Sequence, residues 1–220
     1  MYCANAPATG ADHVIAREFF LENHRMDLPK APACQTCNSE KSLLEHHLTA
    51  VLLFGGRHPD AAANLRTMVP RRLQKNRKLY KKLLQGLAER TVKHPDAISE
   101  QRIALTLPID SNYFRRLFGL ITKGLVWHHW QMVLGSNASV RAEAISDSWA
   151  PKYGEFFTMK AHEHVIVDLG EGTFSYERRA DDLAIFNLRR RLPRGRSQVT
   201  AYDFNAGSVD NGSKRPPAQT

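Results

Sequence analysis

The sequence predicts an α+β protein: two short strands and a helix come first, a mainly helical region follows, and a small strand-rich part comes last. Three observations predict this order. The first stretch is short and broken by Pro7 and Gly10, which favours a turn and brief strands. Apolar residues then recur with a helical period, and short apolar runs such as 165–167 favour strands after residue 156.

The composition is that of a globular and strongly basic protein. Of its 220 residues, 42% are apolar and 24% are charged, so wholesale disorder is not expected. The 31 Lys and Arg residues exceed the 22 Asp and Glu residues, and the net charge of +9 favours polyanionic partners, above all nucleic acid. The apolar run 48–56 is too short to cross a bilayer, and charges at 12, 17 and 18 replace the apolar segment of a signal peptide. We therefore expect a soluble, cytoplasmic protein without a membrane partner.

The first helix is predicted to begin near Asn38 or Ser39 and to end at Gly55 and Gly56. One face of this helix carries its apolar residues and one histidine: Leu44, His47, Leu48, Val51 and Leu52. Residues 1–56 also hold all three cysteines, and we expect them to form one domain.

A second helix is predicted from Arg71 to about Glu89, after the helix-starting Pro70. Its apolar side would carry Leu73, Tyr80, Leu84 and Leu87. Its opposite side would carry a stripe formed by Arg71, Lys75, Lys78 and Lys82. Because residues 66–82 contain eight basic side chains and no acidic one, this stripe is predicted to bind a nucleic-acid backbone. The alternative is a solvated face on a helix that packs against the core.

A short strand from Arg102 to Leu107 and a third helix complete the expected helical region. The helix is capped by Asp110 or Ser111 and runs from Tyr113 towards Trp130. Its core residues are predicted to be Phe114, Leu117, Phe118, Ile121 and Leu125. Residues 57–204 form the predicted accessory or DNA-binding region, and residues 205–220 form a disordered tail.

One pattern carries chemistry: Asp12-His13, followed later by Cys34-Gln35-Thr36-Cys37-Asn38-Ser39-Glu40-Lys41. It resembles the HNH endonuclease family, a branch of the ββα-metal nucleases, over about residues 3–55. The resemblance implies a ββα-metal domain that hydrolyses phosphodiester bonds in DNA, with RNA as the alternative substrate. Such hydrolysis needs a base to activate water and a cation to stabilise charge on the phosphate.

The resemblance also implies roles for individual residues. His13 would be the general base, which a pKa of about 6.5 permits at neutral pH. Asp12 and Asn38 would bind Mg²⁺ or Mn²⁺, for which oxygen ligands are suited. Lys41 would contact a phosphate. Glu45 is a secondary candidate for the metal, with pairing to Lys41 as the alternative.

Two positions depart from the family pattern. The central asparagine of the family has no counterpart before Cys34, and Ser42 stands where a histidine ligand is frequent. These departures keep a second function open, a non-catalytic nucleic-acid-binding protein on a degenerate HNH scaffold. A third possibility is an interaction protein whose basic patches meet an acidic protein.

The cysteines suggest a structural zinc site formed by Cys3, Cys34 and Cys37, although zinc normally takes four ligands. The missing ligand leaves three explanations open: a cysteine encoded before residue 1, a histidine such as His24 or His46, or a site that has decayed. Other histidine pairs have simpler interpretations. His162 and His164 are predicted to be a surface strand pair, and 128–129 to be helix-end packing. The arginines at 189–191, 194 and 196 could contact phosphates or be solvated.

Overall fold

The computed structural model describes residues 2–55, 58–94, 97–135, 140–145, 164–179, 187–189 and 198–202. It confirms the α+β class, since helices are combined with small antiparallel sheets. Within the described residues no helix is both long and apolar enough to span a bilayer. The predicted tail at 205–220, the apolar piece 184–186, His162 and most of the 189–196 arginine cluster lie outside the described residues.

Two antiparallel strands and a helix form the N-terminal unit. Strand β1 (Gly10–His13) pairs with β2 (Lys30–Ala33), so that Asp12 lies opposite Ala31. Helix α1 (Gln35–Val51) follows immediately, with Cys34 as its N-cap residue. The predicted start at Asn38 or Ser39 is therefore a few residues too late, because Asn38 N–H already bonds to Cys34 O at 3.0 Å. Cys37 and Asn38 lie in the first turn of α1.

The main core joins this unit to helix α4 (Ser111–Trp130). The Asp110 carboxylate caps α4 by accepting from Asn112 N–H at 3.1 Å and Tyr113 N–H at 3.2 Å, as predicted. All five residues predicted for its core face are buried, as are Leu44 and Leu48 of α1. Gly124 allows the close approach, because a Cβ there would lie 2.7 Å from Val14 Cγ1. The core of the N-terminal unit therefore depends on α4.

The prediction of one helix over 71–89 is wrong. Helix α2 (Pro59–Lys75) contains Pro70 in its interior, and α3 (Arg77–Gln85) begins after a break. The break lies at Asn76, whose backbone leaves the helical region and whose side chain accepts from Leu79 N–H at 3.0 Å. A local side-chain cap has replaced the continuous helix.

The break also changes which residues of α3 are buried. Leu79 and Leu83 pack against Ala50 and Val51 at the end of α1. Three residues of the predicted apolar side are instead exposed: Tyr80, Leu84 and Leu87. Their burial was inferred from a helical phase that does not continue through residue 76.

Two further sheets follow. Strands β3 (Ala88–His94) and β4 (Ala97–Thr106) form an antiparallel ribbon, which is longer than the predicted strand at 102–107. The other sheet has five antiparallel strands in the order β5-β9-β8-β7-β6. Their bounds are Arg141–Ile145 (β5), His164–Leu169 (β6), Phe174–Arg179 (β7), Asn187–Arg189 (β8) and Gln198–Tyr202 (β9). The predicted strand around 165–167 is confirmed within β6.

A polar cluster at Asp60 connects the N-terminal part to the turn between β6 and β7. The Asp60 carboxylate, whose side chain is 7% exposed, lies 2.7 Å from His24 Nδ1 and accepts from Thr173 Oγ1 at 2.9 Å. His58 lies beside the same carboxylate, and Glu171 approaches the other ring nitrogen of His24 at 3.5 Å. The hydrogen bond to Asp60 raises the pKa of His24 above its ordinary value.

Replacing His24 by Gln should change how stability depends on pH. A histidine whose pKa is raised by folding stabilises the protein fully below its unfolded pKa of about 6.5, and this contribution is lost as the pH rises through the folded pKa. We expect the free energy of unfolding of the original protein, relative to that of His24→Gln, to fall as the pH rises above about 6.5 and through the raised folded pKa of His24. Urea unfolding at several pH values measures it. The exposed His46→Gln is the control, and a difference that does not vary with pH contradicts the prediction.

Candidate functional site

Asp12 lies near the end of β1 with its carboxylate held at one oxygen. The carboxylate side chain is 11% exposed. Oδ2 accepts from the Tyr2 hydroxyl at 2.7 Å and lies 2.9 Å from Lys41 Nζ. Among the described residues no hydrogen bond reaches Oδ1 of Asp12. The carboxylate is therefore oriented through Oδ2.

Lys41 connects α1 to β1 from inside the protein. Its side chain is 0% exposed, and its ammonium donates to the backbone carbonyl of His13 at 2.7 Å, to Asp12 and to the carboxylate of Glu45. These three acceptors match the three protons of an ammonium group. The predicted phosphate contact at Lys41 is therefore corrected, because its charge is enclosed by the protein instead of facing a surface.

Glu45 lies one turn after Lys41 on α1 and is only 16% exposed. Its pairing with Lys41, the alternative to a metal ligand, is present. Burial raises the pKa of Glu45 to about 7, while the charge of Lys41 opposes this rise. Glu45 is thus a mostly buried partner of Lys41 and not a fully exposed surface acid.

His13 follows Asp12 at the last position of β1, opposite Lys30. Its side chain is half-buried, whereas its carbonyl is held by Lys41. Burial lowers the pKa of His13, and the positive charges of Lys30 and Arg17 lower it further. The neutral imidazole, which can accept a proton, is therefore favoured at neutral pH.

Asn38 is an exposed residue in the first turn of α1. It lies three residues before Lys41, so the two share a helix face and are separated by about 4.5 Å of rise. Because Lys41 bonds to Asp12, this is the face of α1 that meets β1. Lys41 thus joins Asp12 and His13 of β1 to α1 at one β1–α1 junction, and Asn38 lies in the first turn of the same helix.

The three cysteines lie together beside this junction. Their sulfur atoms are all within 4.8 Å of one another, and Cys3 Sγ lies 3.8 Å from Cys34 Sγ. Ala4 has a positive φ of 57°, and backbone N–H groups of Asn5 and Ala6 lower the pKa of Cys3 to about 7. Such a turn stabilises a thiolate, the form that binds metals. The cluster can bind a metal ion such as zinc.

The histidines proposed as a fourth zinc ligand do not join this cluster. Within the described residues, the three cysteines are the only group of three or more His, Cys, Asp or Glu side chains whose ligand atoms converge closely enough to hold a metal ion. His24 uses Nδ1 towards Asp60, and His46 is exposed on α1. The expectation of a histidine ligand at either position is therefore not supported.

The predicted basic stripe is divided. Arg71 and Lys75 are exposed on α2, and Lys78 and Lys82 are exposed on α3, after the break at Asn76. Lys82 is also committed within the chain, because its ammonium lies 3.7 Å from the Asp110 carboxylate and 5.5 Å from the centre of the Tyr113 ring. The surface is basic, but its charges do not follow one helix face.

The sequence did not reveal the role of Tyr2. This tyrosine is buried in the main core and donates to Asp12, ten residues later. Its only sequence signal is its position beside Cys3. His58 and Asp60 were missed in the same way, since their contacts involve the distant residue Thr173.

Replacing Lys41 by Met should destabilise the protein. The substitution removes the cation and leaves two mostly buried carboxylates without their partner, so we expect a loss of about 3–5 kcal/mol in the free energy of unfolding. Adding Glu45→Gln should restore part of this loss, because one unpaired carboxylate is then neutral. Urea unfolding near neutral pH measures both. Lys78→Met at an exposed site should change stability by less than about 0.5 kcal/mol; a similarly small loss at Lys41 contradicts the prediction.

Comparison with known proteins identifies no relative of this chain. No family model, no curated protein and no solved structure matches the chain. The function is therefore inferred from the residues and their contacts.

Proposed function

We propose that the protein is a metal-dependent endonuclease of the HNH type that hydrolyses phosphodiester bonds in DNA. The observation that carries this proposal is the state of the Asp12 carboxylate. One oxygen is held by Tyr2 and Lys41, the other accepts no hydrogen bond from the described residues, and His13 is the adjacent residue. Metal-assisted hydrolysis needs a preoriented carboxylate as a metal ligand and a neutral imidazole as a base, and Asp12 and His13 would supply these two groups.

The donor set suits a hard divalent cation. A carboxylate oxygen of Asp12 and the amide oxygen of Asn38 would hold Mg²⁺ or Mn²⁺, which prefer oxygen ligands and retain positions for water and phosphate. When bound, the cation would stabilise negative charge on the phosphate and on the leaving oxygen. Lys41 would support the site from behind, since its ammonium fixes the Oδ2 side of the carboxylate.

His13 is assigned the role of general base. Its imidazole accepts the proton of the attacking water, and its lowered pKa keeps the ring neutral at neutral pH. The bond from Lys41 Nζ to the His13 carbonyl restrains the backbone at this position. This bond provides a restraint that the missing central asparagine of the family would otherwise supply.

The thiol cluster is assigned a structural role. Cys3, Cys34 and Cys37 would hold zinc and tie the segment before β1 to the start of α1. Three thiolates leave one coordination position for a further ligand. The exposed basic residues of α2 and α3 would contact the DNA backbone, consistent with the net charge of +9.

A non-catalytic nucleic-acid-binding protein is the second candidate. It is favoured by the buried ammonium of Lys41, which already neutralises charge on Asp12 without a metal. Purified protein incubated with supercoiled plasmid distinguishes the two functions. Nicking that requires Mg²⁺ or Mn²⁺ and stops with EDTA supports the nuclease, whereas binding without nicking supports the second candidate.

Replacing His13 by Ala should abolish cleavage and leave DNA binding nearly intact. General acid–base groups contribute about 10²–10⁴-fold to such reactions, so a loss of at least about 100-fold in the nicking rate is expected. Plasmid nicking and a gel shift with the same DNA measure the two effects. His46→Ala, at an exposed site on α1, should cleave normally. A His13→Ala protein that nicks at the original rate removes His13 from the mechanism.

Replacing Lys75 and Lys78 together by Ala should reduce the salt dependence of DNA binding. Each phosphate contact contributes about 0.9 to the slope of log K against log salt, so the double variant should lose up to about 1.8. Binding titrations at several salt concentrations measure the slope. Gln74→Ala combined with Gln85→Ala removes two polar side chains without removing charge and should leave the slope unchanged. An unchanged slope in the lysine variant means that this surface does not contact the backbone.

A further inference from the structure

Tyr2 lies between the thiol cluster and Asp12 and contacts both regions. Its ring is buried in the main core, and its hydroxyl donates to Asp12 Oδ2 at 2.7 Å. Its backbone carbonyl accepts from Lys123 Nζ of α4 at 3.2 Å. The next residue is Cys3, whose sulfur lies 3.8 Å from that of Cys34. Tyr2 is therefore linked covalently to the thiol cluster and by a hydrogen bond to Asp12.

The hydroxyl of Tyr2 is well suited to a permanent donor role. The tyrosine is 2% exposed, and its hydroxyl donates to the Asp12 carboxylate from within the main core. A phenylalanine at this position would preserve the buried ring and remove only the donor.

Each of the two donors to Asp12 Oδ2 is linked along the chain to a different part of the cysteine cluster. Tyr2 is covalently next to Cys3, and Lys41 belongs to helix α1, which has Cys34 as its N-cap residue and contains Cys37. A metal ion shared by the three sulfurs would fix the position of Cys3 relative to the start of α1. The same ion would thereby fix how the Tyr2 hydroxyl and the Lys41 ammonium converge on one oxygen.

We propose that Tyr2 is a positioning residue through which metal binding at the thiol cluster strengthens cation binding at Asp12. This inference rests on the nuclease function proposed above. Zinc at the cysteines orients Tyr2, Tyr2 orients the carboxylate, and the oriented carboxylate binds Mg²⁺ or Mn²⁺ more tightly. Tyr2 does not touch the substrate.

The test is a double-mutant cycle with Mn²⁺ affinity as its readout. Tyr2→Phe, Cys3→Ser and the combined variant are compared with the original protein, all loaded with zinc and dialysed, by calorimetric titration with Mn²⁺. Loss of a group that orients a metal ligand typically weakens metal binding about 10–100-fold, so a loss of at least about 10-fold is expected for Tyr2→Phe. Cys3→Ser should also weaken binding, and the combined variant should be no weaker than Tyr2→Phe alone.

The matched control is Tyr176→Phe. Tyr176 is also buried, and its hydroxyl bonds to His129 Nε2 at 2.8 Å, so the substitution removes a comparable buried hydroxyl. It should leave Mn²⁺ affinity unchanged. Zinc content, measured by a chromogenic chelator, should be the same in Tyr2→Phe as in the original protein. The original protein prepared with and without zinc repeats the comparison without any substitution.

The outcomes separate this inference from the proposed function. If the original protein nicks plasmid and binds Mn²⁺, but Tyr2→Phe binds Mn²⁺ like Tyr176→Phe, the inference is overturned and the nuclease function stands. Additive effects of Tyr2→Phe and Cys3→Ser also overturn it, because the two then act independently. If the original protein neither binds Mn²⁺ nor nicks DNA, both proposals fail.

Discussion

The N-terminal unit depends on the buried ammonium of Lys41. Transferring a charged group from water into a protein costs several kcal/mol, and this cost is offset only when the charge is paired and fully hydrogen-bonded. Lys41 meets that condition with three acceptors, two carboxylates and the His13 carbonyl. Since Asp12 and His13 belong to β1 and Lys41 belongs to α1, satisfying the ammonium also fixes how the strand and the helix meet.

The same interaction orients the Asp12 carboxylate. Oδ2 accepts from Tyr2 and is paired with Lys41, so the protein itself sets the direction of this side chain. In the proposed nuclease, this preorientation would reduce the free energy that cation binding spends on ordering the ligand. Two further contacts connect Asp12 to other parts of the fold. The Tyr2 hydroxyl donates to Asp12, and Tyr2 is the neighbour of Cys3 in the cysteine cluster. The carbonyl of Tyr2 accepts from Lys123 of α4.

Helix α4 makes the site part of a larger fold. Its buried face packs against β2, α1 and the segment after β1, which Gly124 allows to approach closely. The cluster at Asp60 has a similar function elsewhere, since it joins α2 to the β6–β7 turn through Thr173 and His24. Elements distant in sequence therefore support the two short strands. This support is needed because an isolated two-stranded sheet is at best marginally stable in water.

The sequence by itself determined the α+β class, the α4 helix with its Asp110 cap and core face, and the proximity in sequence of the residues that suggest metal chemistry. Periodicity and capping are local properties, so residues 110–130 could be predicted from their own pattern. The break at Asn76 was not predicted, because an asparagine cap competes with helix continuation by only a small free-energy difference. Only the tertiary structure decided that Lys41 is buried, that Glu45 is its partner, that Tyr2 holds Asp12 and that the three cysteines converge. These contacts join residues from separate elements, and whether a charged or polar side chain is enclosed depends on what the rest of the fold places around it.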